Sequence, residues 1–520
     1  MEQSGGGWQE THDPALAKKL EERARGQVLR WAGVKSAGRR AAAKEAEHVE
    51  RRTDAAVAAA RVKKLADHLG AIAVVEPQKT LPVLAECDVL VVGGGPSGLA
   101  AAIGAARAGA DTILMERYGC FGGCITTVGM ETLAWYRYEG TTDVEGVGIE
   151  MERLAAQMGG TVKFAYNDSH CLDADFFKIV ADRMVRENGI RPLLHTMAVE
   201  VVKDEYGDVA GVVTESKSGR MVVQAKRVVD CTGDADVAFL AGAPYTKYEP
   251  EHMMSVTTVF NASNIDKQCF LEYTERNPAT YKDWSREWEQ ETTGKEDALR
   301  SPYLDLEFVK AQEAGVMPSD AEQKKENVWI GGTWSSLTNA GEATNLNLVH
   351  MSQVDATNVL ELTRAEMEGR RQVMHALAAL RHTVPGFEKA KLRNMGMTLG
   401  VRDTRKIDVK GQARFDDSIG IFPEFIDGYN VLILPTTGRY FHVPLGCLVP
   451  KGVDNLLVAG RCVAGDRVSH AATRNMMCCT VTGQGAGVAA AVSIKAGTTT
   501  SNVDIGEVQK ELLRQGVRIH

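Results

Sequence analysis

The 520-residue sequence predicts an α/β fold that begins near residue 87, and three consecutive segments support this prediction. A short continuous apolar run, residues 89–92, is typical of a strand buried on both faces of a parallel sheet. The glycine-rich residues 93–98 and an Ala-rich stretch that ends at Gly109 predict a turn and a helix. A second apolar run, residues 112–115, completes a βαβ unit.

The turn carries the pattern G-x-G-x-x-G in Gly93, Gly95 and Gly98, between the predicted strand and helix. In a Rossmann-like unit the first glycine permits a tight turn, the second lets the backbone approach a pyrophosphate, and the third lets the helix pack on the strand. The unpaired N–H groups of the helix amino terminus then favour a phosphate. Glu116, at the end of the second strand, is placed to accept hydrogen bonds from a ribose. The pattern therefore predicts a dinucleotide site.

Two later segments favour FAD over NAD as the dinucleotide. Residues 227–234 form a predicted strand that ends in Thr-Gly-Asp, and residues 455–461 form another that runs into Gly-Arg. A helix is predicted over residues 482–495, opened by Gly483 and Gln484. Glycine permits close approach of the backbone to a ligand, and a helix amino terminus beside a flavin would stabilise negative charge on the reduced ring.

These segments resemble the FAD-dependent oxidoreductases related to the fumarate reductase and succinate dehydrogenase flavoproteins, most closely their soluble relatives. The matching segments are VLVVGGGPSGLAAAIGAARAGADTILMER at 89–117, GCFGG at 119–123, RVVDCTGDADVAFLAGAP at 227–244, LGVRDTRKI at 399–407 and NLLVAGRCVAGDRVSHAATRNMMCCTVTGQGAGVAAA at 455–491. The resemblance implies bound FAD. The FAD-binding residues expected from the motifs and the resemblance are Gly93, Gly95, Pro96, Ser97, Gly98, Glu116, Arg117, Gly122, Gly123, Thr232, Gly233, Asp234, Gly460, Arg461, Asp466, Gly483 and Gln484.

The resemblance also bears on how FAD is held. The succinate dehydrogenase type attaches its flavin through a histidine after the turn that matches Gly122 and Gly123, and no histidine lies between Gly119 and Glu150. We therefore expect non-covalent FAD. A thiolate at Cys120 or Cys124 beside this turn is the alternative point of attachment or redox chemistry.

Candidate catalytic residues cluster in the late segments. The run of residues 470–475 resembles the His-Gly-Ala-Asn-Arg run of the fumarate reductase flavoproteins, in which the arginine helps to hold the substrate carboxylate. The resemblance implies that Arg474 has this role, since a guanidinium can bind a carboxylate through two hydrogen bonds. The alternative is that Arg474 binds the flavin pyrimidine or a phosphate. The expected catalytic set is Arg474, His442, Tyr440, Arg402 and His470.

The other members of this set rest on side-chain chemistry. His442 or Tyr440 could transfer the proton that accompanies hydride transfer, or both could belong to a packed aromatic turn. Arg402 and Arg405, in the run LGVRDTRKI, could contact substrate or the flavin edge. Alternatively, these arginines pair with Asp403, Asp408 or another acid on a solvated face. His350 is a weaker candidate.

The chain length predicts several domains, and changes of pattern along the sequence divide it. The predicted parts are a helical amino-terminal extension (1–80), the first part of the FAD-binding domain (87–245), an inserted α+β substrate domain (246–400), the closing part of the FAD-binding domain (401–497) and a carboxyl-terminal tail (498–520).

Composition excludes some classes of function. The formal net charge is −8 and no basic cluster dominates a long segment, which argues against a nucleic-acid partner. No apolar run is long enough to predict a membrane span, so we expect a soluble cytoplasmic protein, with a homodimer as the usual oligomer. The ten cysteines include no C-x-x-C pair, which gives no support for a zinc ribbon.

The favoured function is a dehydrogenase or reductase that moves a hydride between flavin N5 and a small organic substrate. Gly465-Asp466 resembles the Gly-Asp of aromatic hydroxylases, so an FAD-dependent monooxygenase is an alternative. A non-catalytic FAD-binding subunit is another. The sequence leaves the electron partner open between oxygen, a quinone, NAD(P)H and another protein.

Overall fold

The computed structural model describes residues 78–519 except for residues 132, 134–136, 139–140, 143–144, 164–169, 277–304, 334–335, 410–442, 466–469 and 471–472. The helical extension predicted over 1–80 lies almost wholly outside the described residues.

The described strands are β1 (Val83–Val92), β2 (Thr112–Met115), β3 (Arg137–Tyr138), β4 (Thr141–Thr142), β5 (Thr161–Lys163), β6 (His170–Leu172), β7 (Arg191–Leu193), β8 (Met197–Lys203), β9 (Val209–Ser216), β10 (Gly219–Asp230), β11 (Tyr245–Thr246), β12 (Val256–Ser263), β13 (Val328–Thr333), β14 (Ser336–Leu337), β15 (Glu342–Met351), β16 (Lys391–Met395), β17 (Lys406–Ile407) and β18 (Leu456–Val458). The described α-helices are α1 (Pro96–Arg107), α2 (Val147–Gln157), α3 (Ala174–Glu187), α4 (Asp236–Leu240), α5 (Lys267–Arg276), α6 (Asp305–Glu313), α7 (Asp320–Lys325), α8 (Val359–Thr383), α9 (Met476–Lys495) and α10 (Ile505–Arg514).

The larger sheet has seven strands, with β1 and β10 at its centre. Strand β1 pairs in parallel with β2 and β10, and the parallel set continues through β7 on one side and β18 on the other. An antiparallel pair, β8 and β9, extends the sheet beside β10. Because parallel strands end at one edge of a sheet, the turns that follow β1, β2, β10 and β18 meet there. The predicted α/β fold is confirmed.

Helices α1 and α9 pack together against this sheet at very short range. A Cβ on Gly483 would lie 2.1 Å from the carbonyl oxygen of Ser97, and a Cβ on Gly487 would lie 1.9 Å from that of Ala101. Glycine at these positions therefore lets the two helix backbones touch.

Helix α9 is also the one described helix long and apolar enough to cross a membrane. However, 83% of its apolar window is buried inside the protein. Such burial is typical of a helix in the core of a folded protein.

A second sheet is antiparallel, in the order β13-β15-β12-β16, with β14 paired to β15. Helix α8 covers one face, where Thr258 and Met351 lie against Gly369. The side chains of Val256, Ile330 and Val349 point to the same face and are buried. On the opposite face, Gly400 lies between Thr257 of this sheet and Val128. Val128 belongs to the segment that follows the Gly122–Gly123 turn.

Several predicted elements are confirmed, and their differences in length have local causes. Strand β2 has the predicted bounds. The sequence pattern also predicts helices over residues 174–188 and 354–379, and α3 ends one residue before the end of the first of these. Helix α8 runs later than the second, because Asn358 caps it by accepting hydrogen bonds from the N–H groups of Leu360 and Glu361. An Asn cap of this kind fixes where a helix starts.

Candidate functional site

The glycine turn after β1 allows no side chain at two of its positions and leaves space at the third. A Cβ on Gly93, whose φ is +101°, would lie 2.4 Å from the carbonyl oxygen of Cys231. A Cβ on Gly98 would lie 1.7 Å from the carbonyl oxygen of Gly93. At Gly95, the nearest atom to an added Cβ is the Cα of Gly123 at 3.6 Å. The open space at Gly95 fits a pyrophosphate.

The amino terminus of α1 supplies free donors to this space. Gly95 is the N-cap, Pro96 is the first helical residue, and the first turn contains no acidic side chain and no side-chain cap. The first N–H groups of the helix therefore remain available to an anion, and the helix dipole favours one. Ser97 is buried beside the Gly460 turn, where a Cβ on Gly460 would lie 2.7 Å from its Oγ.

Glu116 follows β2 and is buried, with 6% of its surface exposed. One carboxylate oxygen accepts from the N–H of Gly94 at 2.7 Å and the other from the N–H of Tyr118 at 2.9 Å. Each oxygen keeps a further lone pair for a ribose hydroxyl. The next residue, Arg117, lies within the electrostatic field of Asp234.

The Gly122–Gly123 turn lies directly against the first glycine turn. The N–H of Gly122 donates to the carbonyl of Gly94 at 2.8 Å, and Gly123 has a φ of +51°. The following Cys124 is the residue on which the alternative of a thiolate rests. Burial raises the pKa of its thiol to about 11, although the charge of Arg461 opposes this. At neutral pH the group is a thiol, which weakens that alternative.

The turn after β10 is fixed by a buried carboxylate. Asp230 accepts from the N–H of Thr232 at 3.0 Å and from that of Ala238 at 2.8 Å. Burial raises the pKa of Asp230 above its ordinary value. Gly233 adopts a φ of +83° and lies against the guanidinium of Arg461. The turns after β10 and β18 are thus in contact.

A hydrogen-bonded triangle extends this contact to the run LGVRDTRKI. Arg461 pairs with Asp234 at 2.8 Å, Thr404 donates to Asp234 at 2.7 Å, and Arg461 donates to Thr404 at 3.1 Å. Burial alone would raise the pKa of Asp234, but Arg461 and Thr404 hold it below its ordinary value. The triangle therefore fixes residues 402–406 against the dinucleotide side of the protein.

Arg405 belongs to this structural contact and not to a substrate site. It pairs with Asp236 at 3.0 Å and its guanidinium lies 4.2 Å above the ring of Phe239. The alternative in which Arg405 pairs with an acid is confirmed, with Asp236 as that acid. Asp403 and Asp408 pair instead with Lys406 and Lys451.

Arg402 points the other way, towards the second sheet. It donates to the carbonyl of Ser255 at 2.7 Å and approaches the amide oxygen of Asn347 at 3.5 Å. Burial, followed by the charge of Arg474, lowers the pKa of Arg402 to about 9. The alternative that Arg402 pairs with an acid on a solvated face is therefore wrong within the described part of the chain.

Arg474 is the second cation of this region. Burial lowers its pKa to about 10, and its Nε is buried with no hydrogen-bond partner among the residues that the structure describes. Neither Arg474 nor Arg402 forms an ion pair with a carboxylate of the described chain. Two half-buried guanidiniums without an acid are costly, so the pair is suited to binding an anion.

His470 forms a hydrogen bond with the backbone of Arg402. It is 2% exposed, and its Nε2 donates to the carbonyl oxygen of Arg402 at 3.0 Å. The remaining nitrogen, Nδ1, has no partner among the described residues. Burial, and then the charge of Lys406, lower the pKa of His470 to about 3, although Asp403 opposes this. The imidazole is therefore neutral and holds the backbone of Arg402.

The second sheet contributes His350, a residue that the sequence pointed to only weakly. Burial, and then the charge of Arg402, lower its pKa to about 3, so it too is neutral. Its ring lies 4.6 Å from the ring of Trp329 at an angle of 33°. Sequence reasoning missed Trp329 and Asn347, because only the register of β13 against β15 brings them to this site.

A further buried acid, Glu131, was also missed. It is 4% exposed and follows the Gly122–Gly123 turn by a few residues. It accepts from the N–H of Ala174 at 3.3 Å, and the Sγ of Cys171 lies 3.7 Å from its other oxygen. Burial raises the pKa of Glu131 to about 7. In the sequence, Glu131 is an isolated acid outside any recognisable motif. Its burial therefore could not be predicted.

All but three of the predicted site residues lie in the described part of the chain. The turns that contain Gly95, Glu116, Gly123, Asp234 and Arg461 meet at the carboxyl edge of the first sheet. His442, Tyr440 and Asp466 lie outside the described residues.

The placement of Gly483 and Gln484 at a helix amino terminus is wrong, because α9 begins at Met476. Gly483 packs on α1, and the side chain of Gln484 accepts from the N–H of Val147 at 3.0 Å.

The fold and the site define a dinucleotide-binding α/β protein in which a glycine-lined phosphate cradle lies beside a half-buried cationic pair. The family model described as FAD dependent oxidoreductase matches residues 88–512. The chain belongs to this family and is an FAD-dependent enzyme.

Solved structures with a related fold are distant. A geranylgeranyl bacteriochlorophyll reductase-like protein from Thermoplasma acidophilum is 14% identical, with a TM-score of 0.40 over 83% of this chain and 84% of that one. A myxobacterial chondrochloren halogenase is 11% identical, with a TM-score of 0.42 over 83% and 79%. The p-nitrophenol 4-monooxygenase of Pseudomonas putida DLL-E4 is 12% identical, with a TM-score of 0.39 over 83% and 85%. No curated protein matches this sequence.

Proposed function

We propose that this chain is an FAD-dependent dehydrogenase or reductase that transfers a hydride between flavin N5 and a small substrate bearing a carboxylate or carbonyl group. The observation that carries the proposal is the pair Arg402 and Arg474. Both side chains are half-buried, burial lowers the pKa of each guanidinium, and neither forms an ion pair with a carboxylate in the described part of the chain. An anionic group of the substrate would supply the missing charge.

The dinucleotide side of the site fits FAD. The open space at Gly95 and the uncapped amino terminus of α1 would hold the pyrophosphate, and Glu116 would hold the adenosine ribose. The Gly122–Gly123 turn and Arg461 line the same edge. When bound there, FAD supplies the hydride chemistry.

The protein would bind and orient the substrate through the arginine pair. A guanidinium presents parallel N–H donors that match a carboxylate, and the Nε of Arg474 has no hydrogen-bond partner among the described residues. Burial lowers the pKa of Arg402, so an anion placed beside this poorly solvated charge would be strongly attracted. His470 fixes the backbone of Arg402 and thereby the position of its side chain.

The resemblance of residues 470–475 to the run in which the arginine of the fumarate reductase flavoproteins holds the substrate carboxylate supports the same assignment for Arg474. The neutral state of His350 and His470 is also consistent with it. Neither imidazole carries charge, so neither histidine competes with the two arginines for an anion.

The absorption spectrum of the purified protein, before and after denaturation, tests the proposal first. A flavin spectrum, with free FAD released on denaturation, is expected. Anaerobic addition of NADH, NADPH and candidate hydroxy or enoic acids then identifies the reductant, and reoxidation by oxygen or a quinone identifies the acceptor. Protein that neither contains nor takes up FAD would contradict the proposal. Oxygen-dependent hydroxylation with NAD(P)H would replace it by the monooxygenase alternative.

A further inference from the structure

We propose that the substrate is a carboxylic acid with an aryl group, and that Trp329 binds the aryl ring while the arginine pair holds the carboxylate. This inference rests on the proposed function and specifies its substrate class. It follows from the placement of three side chains, Thr257, His350 and Trp329, on one face of the second sheet.

These three residues form a single row across neighbouring strands. Thr257 pairs with His350, and His350 pairs with Trp329. Residues directly opposite each other in an antiparallel sheet project to the same face. The contact between the rings of His350 and Trp329, with centroids 4.6 Å apart, confirms this for two of the three.

The other face of the sheet belongs to the core. The neighbours in sequence of the row residues, such as Thr258, Val349 and Ile330, are buried, and Thr258 lies against Gly369 of α8. Since side chains alternate along a strand, the row must point away from α8. It points to the side of the sheet on which Gly400 contacts Thr257.

Arg402 lies at the Thr257 end of the row. The amide oxygen of Asn347 accepts from Thr257 and also lies 3.5 Å from the guanidinium of Arg402. The charge of Arg402 in turn lowers the pKa of His350. The row therefore leads from the cationic pair to Trp329, which is 38% exposed at the far end.

The length and chemistry of the row indicate the ligand. Two strand spacings of about 4.8 Å separate Thr257 from Trp329, so the row is on the order of 10 Å long, the length of an arylalkanoic acid. The neutral imidazole of His350 contacts the indole, and the 38% of Trp329 that is exposed is the surface that an aryl ring would contact. Offset or edge-on contact with such a ring is favourable beyond the apolar area that it buries.

The test uses the FAD-loaded protein and measures the perturbation of the flavin absorption spectrum by 3-phenylpropanoate, by its saturated analogue 3-cyclohexylpropanoate and by butanoate. We expect the phenyl acid to bind about tenfold more tightly than butanoate, and more tightly than the cyclohexyl acid. Equal binding of the three acids would overturn the aryl inference and leave the proposed function standing. Failure of every acid to bind the FAD-loaded protein would overturn both.

Two variants and a control complete the test. Trp329→Ala should remove the preference for the phenyl acid, and Trp329→Phe should restore most of it. Tyr206→Ala changes an aromatic residue that is 64% exposed in the turn between β8 and β9, and should leave the preference unchanged. A preference that survives in Trp329→Ala would overturn the role of Trp329.

Benzyl alcohol, which lacks the carboxylate, should bind weakly. If it binds as tightly as the phenyl acid, the carboxylate assignment fails while the aryl site remains.

Discussion

Gly95 and Gly123 lie against each other where the turns after β1 and β2 meet: a Cβ on Gly123 would lie 2.6 Å from the Cα of Gly95. The reverse contact is looser, because a Cβ on Gly95 would lie 3.6 Å from the Cα of Gly123. A side chain at Gly123 would therefore clash with the backbone, whereas a side chain at Gly95 would enter open space. A substitution at Gly95 should thus affect cofactor binding and not the fold.

Gly95→Val should abolish FAD binding while the protein remains folded. The added side chain enters the space assigned to the pyrophosphate and meets little of the protein itself. The flavin content of the purified protein and its far-UV circular dichroism measure the two effects. Gly98→Ala is the matched control. Its Cβ would lie 1.7 Å from the carbonyl of Gly93, so the fold itself should be destabilised. Stoichiometric FAD in Gly95→Val would show that the site is misassigned.

Arg474→Ala should retain FAD and lose activity, because it removes a donor to the substrate and leaves the glycine turns intact. The two measurements are flavin content and turnover with the substrate found in the reduction experiment. If turnover survives in this variant, the assignment of Arg474 to the carboxylate is wrong.

Arg402→Gln and Arg405→Gln should have different consequences although they lie three residues apart. The first should weaken carboxylate binding about tenfold or more, since a charge-assisted hydrogen bond contributes about 1.5–3 kcal/mol. The second breaks the pair with Asp236 and should lower stability without changing the dissociation constant. Titration of the flavin spectrum with a carboxylate, together with urea unfolding, distinguishes them. Equal loss of binding in both would indicate a general disturbance of the loop.

Glu131→Gln should make stability less dependent on pH between about 4.5 and 7. Burial raises the pKa of Glu131 to about 7 in the folded protein. The unfolded chain therefore loses this proton first as the pH rises, and the folded state becomes less stable across the window. One pKa unit corresponds to about 1.36 kcal/mol, so the variant should avoid a loss of about 1–3 kcal/mol. Urea unfolding at the two ends of this pH window measures the change in the free energy of unfolding. Glu205→Gln, at an exposed position, should follow wild type, and an unchanged pH dependence in Glu131→Gln would contradict the burial argument.

Lys406→Met should destabilise the fold by about 3–5 kcal/mol, the usual cost of removing one partner from a buried ion pair. Lys406 and Asp403 are each 2% exposed, so Asp403 would be left charged in the core. The double variant Asp403→Leu/Lys406→Met should recover part of the loss. By contrast, Lys510→Ala breaks a surface pair with Glu507 and should leave the unfolding midpoint almost unchanged, because solvent-exposed ion pairs contribute little to stability. Similar unfolding midpoints for Lys406→Met and Lys510→Ala would refute the prediction.

Local pattern was sufficient to predict the dinucleotide half of the fold. The βαβ unit that contains Gly93 and Glu116 is encoded by a buried strand, a glycine turn and a helix that follow one another directly in sequence. Turns at the ends of β10 and β18 could be placed at the same edge because parallel strands end together.

The start of α9 was not predictable in this way. The glycines in this segment placed the predicted helix start near residue 482, but Gly483 and Gly487 both lie within a helix that begins at Met476 and approaches α1 closely. Tertiary packing here outweighs the low helix propensity of glycine.

On the substrate side, the sequence pointed to Arg402 and Arg474 through motifs, and their role there stays a prediction. His350 and Trp329 are separated by twenty residues and meet only through the pairing of β13 with β15. Strand register is set by packing on α8, which no local pattern of these segments reveals.

The glycines that let α1 and α9 touch have a consequence for how the enzyme works. With backbone against backbone there is no layer of side chains that could deform, so the two helices form a stiff frame behind the glycine turns. We therefore expect the carboxyl edge of the first sheet to move little when ligands bind. Adjustment to a substrate would then fall to the second sheet, which has no such frame among its described residues.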